Sequence, residues 1–104
     1  MAELTPLLDE IDALIRGAPT DVDRLERTLT DGYAQALALE AEKSRLEKRL
    51  GLVAHAIDEG DTFVKTRELT ALTKELDRNA IELAELRRSL GHLRRRAGEA
   101  RIAS

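Results

Sequence analysis

The sequence predicts an all-α protein: a short N-terminal helix followed by a long antiparallel coiled-coil hairpin that assembles into a helical bundle. Three observations carry this. Positions at alternating spacings of three and four are almost all apolar along two stretches, from Val22, Leu25, Leu29 and Gly32 to Leu50, Val53 and Ile57, and from Leu69, Leu72 and Leu76 to Leu90, Leu93 and Ala97. The stretches, 22–57 and 62–97, are each 36 residues long and meet at Asp58-Glu59-Gly60-Asp61, so they can lie side by side over their whole length. No segment alternates apolar and polar residues as a half-buried strand does.

The first helix is bounded by local chemistry. Thr5 can cap it, Pro6 suits its first position, and Asp9 and Glu10 favour its positive end. Leu7, Leu8, Ile11, Leu14 and Ile15 make one apolar stripe, Gly17 ends the helix, and Pro19 prevents its continuation. Thr20, with Asp23 three residues on, opens the first long arm. Gly60 supplies the left-handed residue that closes that arm, and Asp61 can cap the second. Gly98 is expected to end the second arm. The resulting division is 1–19 for the short helix and turn, 20–97 for the hairpin with its turn at 58–61, and 98–104 for a flexible tail.

Composition narrows the function classes. Of 104 residues only Tyr33 and Phe63 are aromatic, so leucine and alanine must do the packing. The absence of cysteine excludes disulfides and thiolate metal sites. No run approaches the roughly 18 apolar residues of a membrane span, and the N-terminus lacks the basic start of a secretory signal. These features point to the cytoplasm and to no membrane partner.

Charge is placed unevenly although the net value is only −3. Residues 1–31 hold eight acids against three arginines, and residues 86–104 hold six arginines against Glu99. Folding the hairpin about Gly60 brings Asp23 level with Arg96, Glu26 with Arg95 and Asp31 with Arg88. The basic run is therefore expected to neutralise the acidic one and to favour the antiparallel register. The competing expectation is that Arg87, Arg88, Arg94, Arg95 and Arg96 contact phosphates of a nucleic acid.

Two seam positions are polar. Lys43 falls level with Leu76 and Asp77, and Asn79 level with Leu39 and Glu40; both are expected to set the register, the alternative for Lys43 being that it snorkels its ammonium past a thin seam. Gly32 also sits in the seam, where the ring of Tyr33 is expected to fill the space beside it. A second apolar stripe, Ala34, Leu37, Ala38 and Ala41, is matched on the other arm by Ala80, Ile81 and Ala84. The first helix, about 16 Å long, can fold back over the level of Leu25 to Tyr33 but no further. The half nearer the turn, with Leu52, Phe63 and Val64, is left two-helical. Leu37, Ala41, Leu52, Val64, Ile81 and Ala84 are thus the expected surface for a second copy, a dimer being favoured, or for a partner protein's helices.

Chemistry-bearing motifs are missing. His55 and His92 occupy outward positions with no carboxylate three residues before and no second histidine within a turn, so no metal site is expected. Glu40, Glu42, Glu82 and Glu85 read as partners of Lys43, Arg45, Arg78 and Arg88 along the helix surfaces. Ser44 and Ser89 have no adjacent base, no glycine-rich loop follows a strand, and no aromatic platform exists for stacking bases. The expectation is a non-catalytic interaction module with no cofactor and no small-molecule substrate. In outline residues 20–97 resemble the hairpins of prefoldin-type chaperone subunits, tubulin-cofactor-type chaperones and the tRNA-binding arm of seryl-tRNA synthetases. That resemblance is one of shape, with no residue motif, and assigns no family.

Overall fold

The computed structural model describes residues 4–17, 21–60 and 63–103. Three helices run in order: α1 (Leu4–Arg16), α2 (Val22–Asp58) and α3 (Phe63–Ala103). Among the described residues there is no strand, and α2 and α3 pack closely as a hairpin.

Helix ends follow local hydrogen bonding. α1 begins at Leu4, one residue before the expected cap Thr5. Pro6 still lies in the first turn, where backbone N–H groups have no acceptor within the helix. Gly17 donates its N–H to the Ala13 carbonyl at 3.0 Å as the helix stops. The N-cap of α2 is Asp21, whose Oδ1 accepts from Arg24 N at 3.1 Å. The cap expected there, Thr20, lies outside the described residues, as does Asp61. Gly60 closes α2 at φ 103°, with its N–H donating to Ile57 O at 3.0 Å. That backbone geometry is costly for any residue carrying a Cβ.

The second arm corrects one expectation. Gly98 does not end α3, which continues to Ala103. Ala97 and Ala100 on either side of it are 2% and 3% exposed. A glycine inside a helix costs about 1 kcal/mol relative to alanine; in the turn that follows, Ala100 is buried, whereas Ile102 is 89% exposed.

The chain divides into two compact units. The first comprises residues 1–37 and 84–104. Its core takes Leu4 and Ile11 from α1, Leu25, Leu29 and Ala36 from α2, and Leu86, Leu90, Leu93, Ala97 and Ala100 from α3. α1 is docked on this core: Thr28 Oγ1 donates to Glu10 Oε1 at 3.4 Å, and Arg24 Nε stands 3.9 Å from the same oxygen. Arg96 donates to the Gly17 carbonyl at the end of α1. Gly32 is filled not by Tyr33, which is 43% exposed, but by Leu90 from the facing helix. A Cβ at position 32 would overlap Leu90 Cδ2 and stand 3.3 Å from its Cγ.

The second unit comprises residues 38–83 and, among the described residues, is built from parts of the two long helices. Leu39, Val53, Leu72 and Leu83 are buried, while Leu46, Leu50, Leu69 and Leu76 are half-buried. A seam between two helices is covered from one side only at each position, so its leucines keep contact with water. Asn79, 4% exposed, donates Nδ2 to the Leu39 carbonyl at 2.9 Å. Its Oδ1 is buried with no hydrogen-bond partner. This pairing of Asn79 with Leu39 is the level that equal arms about Gly60 dictate. Lys43 is exposed, in keeping with the second of the two readings of it. Its flexible four-carbon stem carries the ammonium out of the seam into water.

Candidate functional site

The flanks of the hairpin, rather than a cavity, are where this molecule presents chemistry. In an antiparallel pair, residues that follow a seam residue on one helix share a flank with those that follow one on the other. Residues that precede seam residues share the opposite flank. Glu26 follows Leu25, Arg101 follows Ala100, and the two pair, with Arg101 Nε donating to Glu26 Oε1 at 2.7 Å. Arg49 precedes Leu50, Glu68 precedes Leu69, and Arg49 Nε donates to Glu68 Oε1 at 2.8 Å.

This rule explains why the expected ion pairs of the first unit are replaced. Asp23 follows a seam residue, Val22, whereas Arg96 precedes one, Ala97, so they stand on opposite flanks. Arg96 instead bonds the Gly17 carbonyl and lies 3.5 Å from Glu99. Arg95, expected near Glu26, donates to His92 Nδ1 at 2.6 Å. Asp31 precedes Gly32, while Arg88 lies midway between Leu86 and Leu90 and points away from the seam. Level alone was the wrong criterion; side of the seam decides.

The flanks of the first unit are therefore unequal. Thr28 precedes Leu29, is 4% exposed, and bonds Glu10. With Arg96 it shows that α1 covers the flank of preceding residues. The other flank carries Glu26 and Tyr33 on α2, with Arg87, Arg94 and Arg101 on α3. Leu37 and Ala84, further round their helices, are exposed.

All six residues expected to form an interaction surface are exposed. They do not make one patch. Leu37 and Ala84 belong to the first unit and the other four to the second. Leu52 and Val64 each precede a seam position, Val53 and Lys65, and so share a flank near the turn. Ala41 and Ile81 lie midway between seam positions and point away from the seam on different helices. The stripe Ala34, Leu37, Ala38, Ala41 likewise faces across α2 from the seam rather than beside it. Phe63 is the most exposed large apolar side chain of the second unit. Sequence reasoning missed Glu10 as the group that ties α1 down, and it missed the Arg101–Glu26 pair. The first has no pattern in the sequence, but the spacing Leu93 to Ala97 to Ala100 does continue the seam past Gly98.

Electrostatics are mild. The Arg49 hydrogen bond holds the Glu68 carboxyl below its ordinary 4.5; partial burial opposes this, and Lys65, 3.4 Å away, adds to it. His55 Nε2 is 3.2 Å from Glu59 on an open surface. An open depression of about 460 Å³ on α2 is lined by Asp23, Glu26, Arg27 and Thr30. It lacks the apolar walls of a small-molecule pocket. Among the described residues no group of three or more histidines and carboxylates could hold a metal ion, and no helix is long and apolar enough to cross a membrane. Compared with known proteins, the chain matches no family model, no curated protein and no solved structure.

Proposed function

We propose that the protein is a non-catalytic helical interaction module of the cytoplasm that self-associates through coiled-coil packing, as a dimer. One observation carries the reading. Among the described residues the second unit has no third helix, and Leu52 and Val64, 65% and 67% exposed, share one of its flanks near the turn. Two large apolar side chains together on the flank of a two-helix segment favour a surface that another helix covers. A phosphate-binding role for the arginines is the second reading. It is weaker because Arg96 and Arg101 are already engaged within their own unit.

Sedimentation velocity over a range of concentrations tests the proposal. The unmodified chain is expected to sediment as a dimer. Leu52→Glu combined with Val64→Glu is expected to give a monomer with the helical signal retained. A chain that stays monomeric at high concentration refutes self-association.

A further inference from the structure

We propose that two copies of the chain join with their second units antiparallel, α2 lying on α2, so that Arg45 of each meets Glu59 of the other on either side of a centre of Leu52 and Val64. This rests on the self-association reading and deepens it, adding the orientation of the partner copy and the charges that fix it.

The argument begins with one file along α2. Arg45, Leu52 and Glu59 are seven residues apart, and seven residues advance a helix by about 10.5 Å and return to nearly the same side. The helical turn carries the file past Asp58, because the Glu59 N–H donates to the His55 carbonyl at 3.2 Å. All three side chains are exposed. A cation and an anion thus stand at equal distances on either side of an exposed leucine. Val64 shares that flank from α3, and the pairing of Asn79 with Leu39 puts it level with Ala54, close to Leu52. Of the other charges on this flank, Arg49 and Glu68 already neutralise one another across the seam. Ala56 and Ala71, which precede Ile57 and Leu72, are too small to hold a partner off.

A contact between identical copies must match its own surface. A twofold axis crossing the helices at Leu52 reverses the file of the second copy. Leu52 then faces Leu52, Val64 falls close to Val64, and Arg45 faces Glu59 twice over. Glu59 Oε1 stands 3.2 Å from His55 Nε2, and a carboxylate can accept several hydrogen bonds, so a guanidinium can join that contact. A twofold axis running along the helices instead sets α2 of each copy on α3 of the other in the same direction. Arg45 is then level with Thr73 and Leu52 with Thr66, and neither charge of the file meets its opposite. The antiparallel overlap from 45 to 59 is about 21 Å long and two helices wide, or about 400 Å² per copy. That is about half of a standard interface, so two charge pairs are enough to decide the orientation.

Sedimentation velocity on the full chain tests this. Arg45→Glu alone and Glu59→Arg alone each set like charges together at both ends of the patch, and each is expected to weaken dimerisation about tenfold. The chain carrying both changes is expected to regain the unmodified affinity, and so is an equimolar mixture of the two single variants, because each restores two opposite pairs. Circular dichroism is expected to stay unchanged throughout, since both positions are exposed. A dimer that neither single change weakens, or one that both weaken without recovery in the doubly changed chain, overturns the orientation and leaves self-association standing. An unmodified chain that is monomeric at every concentration overturns both.

Discussion

The two units are built from the same pair of helices, yet they are not equally closed. In the first, α1 supplies Leu4 and Ile11, and every seam leucine of α2 and α3 is at most 9% exposed. In the second there is no such helix among the described residues, and four of its seam leucines stay half-buried. The difference teaches that spacing of apolar residues specifies where a seam runs, whereas burial depends on what lies beside it.

Truncation of the core should expose that contrast most strongly. Leu86→Ala or Leu93→Ala, at positions that are fully buried, is expected to cost about 2–5 kcal/mol of unfolding free energy. Leu46→Ala or Leu50→Ala is expected to cost about 1–2 kcal/mol, since half the side chain already meets water. Urea denaturation measures both. Equal costs in dilute solution would show that a second molecule already covers the second unit there.

Glycines sharpen the comparison at intermediate size. At Gly32 an added methyl meets Leu90, itself 3% exposed, so the usual gain in helix propensity of about 1 kcal/mol is outweighed by an overpacking cost of about 1–3 kcal/mol. Gly51, in the second unit, has open space around it. Gly51→Ala is expected to raise the melting temperature and Gly32→Ala to lower it. The same sign at both positions would contradict the packing described.

The smallest effect is electrostatic. Because the folded Glu68 carboxyl titrates below its ordinary 4.5, its pairing with Arg49 stabilises the fold above that pH and is lost as pH falls through the folded value. Arg49→Gln should therefore slightly destabilise the chain at neutral pH and make no difference in strong acid. Comparing melting curves of the two chains across that range checks the sign.

Much of the fold was legible in the sequence. The three helices, the reversal at Gly60 and the pairing of Asn79 with Leu39 follow from spacing and one turn residue. What was not legible depends on neighbours in space. Gly98 reads as a helix end, yet α3 runs on past it with Ala100 buried. Lys43 and Asn79 look alike as polar seam residues. One has a long stem that escapes to water, while the other is short and must bond a carbonyl where it stands. The ion pairs failed for a geometrical reason: matching Asp23 with Arg96 by level ignored that they flank opposite sides of the seam. The expected interaction residues were all exposed, but their division among several faces could not be read from spacing on each helix taken separately.

The division of the chain has a consequence for the order in which it can be assembled. Residues 38–83 are contiguous, so the second unit can pair its helices as soon as its own segment has left the ribosome, closing a short loop at small entropic cost. The first unit is split across the sequence, and its α1 must wait for α3, which leaves the ribosome only after all of α2 and the second unit. A thirteen-residue helix is marginal by itself in water, so α1 has no stable partner until the hairpin has formed. α1 is thus made before the hairpin and finds its place after it.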